Sequence, residues 1–163
     1  MHKGKIATLS MAAMLAIATP IVASWEGKSN TPRWDHIGKV WDVCYGETRV
    51  EMRRYTDAEC TAMLRKAVGE FGERAAQCVP GLRDRPMQWA AAASLSYNIG
   101  SAAFCRSTAA KRFNSGDWAG GCEAFKAWTM AGGRYVQGLA NRRYASKDPA
   151  LIPEYAVCMT GLK

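Results

Sequence analysis

Residues Trp25 to Thr48 read WEGKSNTPRWDHIGKVWDVCYGET. Glu26-Gly27 opens the stretch, Asp35 follows nine residues after the glutamate, and Asp42 lies seven beyond that. Gly38, Trp41, Val43, Tyr45 and Gly46 alternate β-prone side chains with glycines, which predicts a hairpin. Carboxyl groups gathered on a helix end and a short hairpin suit cleavage of a glycosidic bond. One carboxylic acid protonates the leaving oxygen while another stabilises an oxocarbenium-like centre or activates water. Most exposed acids only solvate a surface, so spacing alone is compatible with both readings.

Further patches lie downstream in a fixed order. After G-x-x-W-x-V-C-Y-G-x-T come Ser96-Tyr97-Asn98-Ile99-Gly100, then Asn114-Ser115-Gly116-Asp117 with Cys122. Last come Trp128-Thr129-x-Ala131-Gly132-Gly133 and Gly138-Leu139-x-x-Arg142-Arg143. Together with E-G and an aspartate eight residues further, this series resembles the phage lysozymes, the muramidase endolysins. The resemblance runs from about residue 25 to 145 and implies Glu26 as general acid and Asp35 as second carboxylate. The family pattern continues six residues past that aspartate to a threonine that holds the attacking water. Here position 41 is Trp, and alignment on W-x-V-C-Y-G inserts one residue between Gly38 and Trp41. Asp42 then takes the threonine's place, as a holder of water, a general base or a nucleophile. The family signature alone assigns Trp128, Gly132, Gly133 and Arg142 to the saccharide cleft. Glycines let backbone approach a sugar, and an arginine pairs with a muramyl carboxylate.

The chain of 163 residues is long enough for one domain with a sizeable core. Twenty-two lysines and arginines against 14 acids give a net charge of +8. That sign suits any anionic partner, but the bases are scattered and no nucleic-acid motif occurs, so nucleic acid is not expected.

Lys3 and Lys5 precede an uncharged stretch, IATLSMAAMLAIATPIVASW, from Ile6 to Trp25. Its length just matches a hydrocarbon core of ~30 Å, yet Ala, Thr, Ser and Pro20 make it weakly hydrophobic. A cleaved signal peptide with Val22-Ala23-Ser24 at the cut, a permanent anchor, and a signal-arrest-release segment of the kind some phage endolysins use all fit this pattern. Cleavage after Ser24 would leave Glu26 on a frayed terminus. The expectation is therefore that residues 1–24 first hold the chain at the membrane through residues 6–25, and then refold as the first helix of a catalytic domain spanning 25–163.

Thr56-Asp57-Ala58-Glu59 is a capping box opening a helix to about Gln77, which Val79-Pro80-Gly81 breaks. Pro86 opens a second helix, apolar nearly all round, that ends at Asn98-Ile99-Gly100. Ser107 caps a helix to Phe113 and Asp117 one through Trp128; a last helical stretch covers Tyr135 to Tyr144. The expected class is α+β, lysozyme-like, with a small hairpin lobe beside a mostly α lobe and a cleft between. Trp89 and Trp118 read as core, and His36 as solvent-facing.

Six cysteines without C-x-x-C spacing and only two histidines argue against zinc. An even count on an exported chain suggests up to three disulfides. Cys78–Cys105 flank the second helix and Cys122–Cys158 would tie down the tail; Cys44 reads as structural.

The resemblance implies a monomeric muramidase acting on peptidoglycan, with no metal or organic cofactor, at the periplasmic face of the host inner membrane and then in the periplasm. A transglycosylase of similar fold and a non-catalytic wall-binding module are the alternatives. Retention of Asp35 and Asp42 beside Glu26 argues against both.

Overall fold

In the computed structural model the described residues are 2–36 and 38–162, with side chains described from residue 10 onward. The chain opens with α1 (His2–Trp25), one unbroken helix. Met14, Ala18 and Val22 recur every four residues and are fully buried, while Pro20 lies on the exposed side. That spacing gives a narrow apolar stripe on one face. Lys3 and Lys5 fall within α1, but their side chains lie outside the described ones. Among the described residues no helix is long and apolar enough to cross a membrane.

The hairpin follows at once: β1 (Ser29–Asp35) pairs antiparallel with β2 (Val40–Cys44). Cross-strand partners are Arg33 with Asp42, Trp34 with Trp41, and Asp35 with Val40. Strand alternation therefore puts Asp35 and Asp42 on one face and the tryptophan pair on the other. The turn carrying the extra residue closes through Lys39 in the left-handed region at φ 52°, a conformation that side chains with a Cβ seldom take.

Next comes α2 (Asp57–Cys78), with the expected capping box: Thr56 Oγ1 accepts from the Glu59 N–H, and Glu59 accepts from the Thr56 N–H. Its buried side, Cys60, Leu64, Val68, Gly72, Ala75 and Ala76, meets α1 and α3 (Pro86–Ile99). A short 3-10 turn, Pro80–Asp84, separates α2 from α3. As its composition suggests, α3 is buried from Gln88 to Ser96. Trp89 is core, its indole N–H donating to the Gly72 carbonyl at 2.7 Å. On α3 packs α4 (Ser101–Arg106), on α4 packs α5 (Thr108–Asn114, capped by Ser107), and on α5 packs α6 (Trp118–Glu123, capped by Asp117).

Two segments differ from the sequence reading. The helix capped by Asp117 tightens into a 3-10 turn over Ala124–Ala127 and stops before Trp128. The stretch from Tyr135 is not one helix. A two-residue hairpin, β3 (Met130–Ala131) with β4 (Arg134–Tyr135), precedes α7 (Gln137–Ala140), which widens into a π turn over Asn141–Ala145. The glycines at its tip force this outcome, since Gly132 (φ 56°) and Gly133 (φ 74°) both take positive φ, the geometry of a two-residue hairpin turn. The chain ends in α8 (Glu154–Met159).

Three disulfides staple the fold. Cys78–Cys105 and Cys122–Cys158 form as expected, and Cys44 pairs with Cys60, joining the hairpin to the start of α2. The main core is one cluster spanning α1, α2, α3 and the later helices. A smaller one, Val43, Cys44, Tyr55 and Cys60, sits at the junction of β2 and α2. The fold class expected from the sequence, α+β with a hairpin beside a helical lobe, is what the chain adopts.

Candidate active site

Glu26 continues the last turn of α1, its N–H donating to the Val22 carbonyl at 3.0 Å. Its carboxylate borders a cavity of about 620 Å3 whose other walls include Tyr45, Glu47, Thr48, Lys66 and Tyr97. Glu26, just past α1, supplies one wall, the segment after β2 another, and α2 and α3 the floor. Tyr45 and Thr48 belong to the W-x-V-C-Y-G-x-T motif and Tyr97 to the patch ending α3, so their presence here was readable from the same stretches. Lys66 and Glu70, also in the lining, carry no such signal.

The cavity wall is ordered by hydrogen bonds. Tyr97 Oη donates to the Tyr45 carbonyl at 3.2 Å, and Glu47 Oε1 accepts from the N–H groups of Thr48 and Arg49, both at 3.1 Å. Burial pushes the Tyr97 phenol up to about 12, with the charges of Glu26 and Glu47 adding to the effect. Tyr97 therefore stays neutral and acts as a hydrogen-bonding group.

Behind Glu26 lies an ion network. Arg142 Nη1 donates to Glu26 Oε1 at 2.5 Å, and Arg142 Nε donates to Glu154 Oε1 at 3.1 Å. Arg143 Nη1 donates to the other oxygen of Glu154 at 2.5 Å, and Ser94 Oγ donates to Glu154 Oε1 at 2.6 Å. Arg143 also donates to the Trp128 carbonyl at 3.1 Å and to Asn98. Burial works against the charge on both guanidiniums. At Arg142 the carboxylates of Glu154 and Glu26 overcome it and raise the group above its ordinary value. At Arg143, with Glu154 as its carboxylate and Arg142 beside it, burial prevails and the group is lowered.

Arg142, expected in the saccharide cleft, is 5% exposed, shares its guanidinium between Glu26 and Glu154, and is not among the residues lining the Glu26 cavity. Trp128, Gly132 and Gly133 are not brought to the Glu26 cavity either. Trp128 lines a separate hollow with Ser107, Arg112 and Glu123, and the two glycines form the exposed β3–β4 turn.

On the hairpin, Asp42 is nearly buried and its Oδ1 accepts from Arg33 Nε at 2.6 Å; Arg33 Nη2 also donates to the Gly27 carbonyl at 3.3 Å. Arg33 thus ties Asp42 to the residue after Glu26. Asp35 ends β1, and its carboxylate leans over the turn: a Cβ on Gly38 would lie 2.7 Å from Asp35 Oδ2. Gly38 is the residue that leaves it room. Among the described residues no group of three or more His, Cys, Asp or Glu side chains is placed to hold a metal ion.

Glu26 thus borders the cavity with a buried arginine behind it, while Asp35 and Asp42 lie on the adjoining hairpin and are not among that cavity's lining residues. Comparison with known proteins gives the family. The phage lysozyme family profile matches residues 23–146. The SAR-endolysin of Enterobacteria phage P21 is 37% identical over 131 residues, 77% of either chain. The SAR-endolysin of Enterobacteria phage PA-2 is 36% identical over 133 residues with the same coverage. Among solved structures, the active form of P1 phage endolysin Lyz superposes with a TM-score of 0.73 at 19% identity, covering 100% of this chain and 96% of that one. The muramidase domain of SpmX from Asticaccaulis excentricus gives 0.70 at 22% identity, covering 88% and 95%. Motif order, fold and relatives converge, and the chain belongs to the phage lysozyme family.

Proposed function

We propose that this peptidoglycan-degrading endolysin hydrolyses the β-1,4 bond between N-acetylmuramic acid and N-acetylglucosamine with Glu26 as the general acid. The observation that carries the reading is Glu26 itself, held at the cavity lip by the end of α1 and by Arg142. Arg142 engages Oε1, so the proton is delivered to the glycosidic oxygen from Oε2. Asp35 supplies the negative charge that stabilises the oxocarbenium-like centre. Arg33 fixes Oδ1 of Asp42, leaving Oδ2 to hold the attacking water, and attack by that water inverts the anomeric centre.

The N-terminal stretch supports a second stage of the reading. The relatives named above are SAR-endolysins, and α1 buries Met14, Ala18 and Val22 in the catalytic core. We infer that residues 6–25 first hold the monomeric enzyme at the periplasmic face of the host inner membrane, and that release into the periplasm lets the same residues dock as α1. Weak hydrophobicity is what permits the exit.

The deciding experiment is clearing of permeabilised Gram-negative cells by the wild type and by Glu26→Gln, with the released muropeptides analysed by mass. Loss of roughly 10²–10⁴-fold in the variant, the usual worth of a general acid, together with reducing muramic acid ends in the wild-type digest, is the expected result. Anhydro ends would make the enzyme a transglycosylase, and an active Glu26→Gln would remove Glu26 from the chemistry.

A further inference from the structure

Glu154 is fully buried although it lies in a C-terminal segment that sequence marks as tail, just after an exposed stretch from residue 147 to 150. A buried carboxylate is retained only where donors surround it. This one has three: Ser94 Oγ and Arg142 Nε on Oε1, and Arg143 Nη1 on Oε2. The result is a row of alternating charge, Glu26, Arg142, Glu154 and Arg143, running from the cavity lip into the core. Space-filling alone would be served as well by apolar side chains of similar volume. The row's distinguishing property is the field it sets at Glu26.

A general acid must carry its proton before it can donate it. Arg142 spans two carboxylates, Glu26 through Nη1 and Glu154 through Nε, so its hold on Glu26 depends on what Glu154 takes of it. We propose that Glu154 is a positioning residue for the catalytic acid, dividing the Arg142 guanidinium so that its grip on Glu26 yields when substrate enters. The proposal rests on the reading of Glu26 as the acid.

Other charged or titratable groups face the same cavity: Tyr45, Glu47 and Arg49 after β2, Lys66 and Glu70 of α2, and Tyr97 of α3. Arg33 reaches the adjoining Gly27 carbonyl. Among the described residues only Arg142 forms an ion pair with Glu26. A change at Glu154 is therefore transmitted through that one guanidinium.

The test is the pH profile of kcat and KM on purified peptidoglycan for the wild type, Glu154→Gln and Ser94→Ala, with Glu26→Gln as control. Glu154→Gln keeps the shape and removes the charge, leaving Glu26 as the carboxylate paired with Arg142, and the alkaline limb of activity moves to lower pH. KM stays within about twofold, because substrate contacts are untouched. Ser94→Ala removes a donor from Glu154, which then draws harder on Arg142; the limb moves the other way. If both limbs stay at the wild-type pH while thermal stability falls, Glu154 is structural and the proposal is overturned. Should Glu154→Gln fail to fold, the direction of the Ser94→Ala limb decides alone. An inactive Glu26→Gln with unmoved limbs sinks only this proposal, whereas an active Glu26→Gln sinks the acid reading with it.

Discussion

Arg33 Nε meets Asp42 Oδ1 at 2.6 Å across the hairpin, directly opposite in register. Because the same guanidinium holds the Gly27 carbonyl, removing it frees both the Asp42 carboxylate and the chain just after Glu26. Arg33→Ala should cut kcat by up to about 10²-fold, the scale of a small misplacement of catalytic groups. The ion pair is half-exposed on the arginine side and contributes little to stability, so the melting temperature should barely change. Asp42→Thr, which restores the family's residue, should retain far more activity than Asp42→Ala. NMR of the first-formed anomer should show inversion in the wild type; retention would make Asp42 a nucleophile.

The seat of α1 on α2 can be tested at Gly72. A Cβ there would lie 2.5 Å from the Met14 methyl and 3.4 Å from Ala93 Cβ. Helix propensity favours alanine by about 1 kcal/mol, but the displaced methionine must overpack the core, at about 1–3 kcal/mol. Gly72→Ala should therefore be mildly destabilising. Met14→Ala alone should cost about 2–5 kcal/mol. In that background Gly72→Ala should reverse sign and stabilise, because its methyl enters the vacated space. Urea unfolding of the four proteins reads the coupling; strict additivity would mean that α1 does not pack here.

Cys158 stands one helical turn after Glu154 in α8, and its bond to Cys122 closes a separation of 36 residues. Replacing both cysteines by alanine should destabilise by about 2–4 kcal/mol. Well below the new melting temperature, kcat should still fall, because α8 carries Glu154. Differential scanning calorimetry and a clearing assay at low temperature separate the two effects.

Acid sensitivity should show the capping box. The Thr56 N–H, then the Arg53 guanidinium and the Thr56 hydroxyl, hold the Glu59 carboxyl at about 2, below its ordinary 4.5. A folded value below the unfolded one means stability that is fully present above 4.5 and lost as pH falls toward 2. The wild-type melting temperature should fall more steeply across that window than that of Glu59→Gln; parallel curves would remove Glu59 as a contributor.

Where the signal is local, sequence carried the fold. Thr56 and Glu59 announce α2 because a capping box closes within four residues, and the unbroken apolar run after Pro86 announces a buried helix. Glu26 was singled out through the family resemblance, since its glycine and the spaced aspartates lie on one stretch, and it borders the cavity. Glu154 was not. A lone acid in a Pro-containing tail has the composition of surface, and its burial depends on two arginines and a serine brought in from elsewhere in the chain. Arg142 was assigned to the saccharide cleft, and its pairing with Glu26 and Glu154 was not foreseen, because a motif gives position and not which way a guanidinium turns. Gly132 and Gly133 were assigned to the sugar cleft on the same grounds, while their positive φ values serve a turn.

One consequence of the disulfide pattern is mechanical. Cys60 fastens the first turn of α2 to β2, and Cys78, its last residue, fastens the other end to α4. A helix of 22 residues is about 33 Å long, and this one behaves as a beam clamped at both ends. The Cys44–Cys60 bond limits how far the hairpin can move from the start of α2. Any remaining movement of the hairpin must be taken up by the short links on either side of it, residues 26–28 and 47–56, and the first of these carries Glu26.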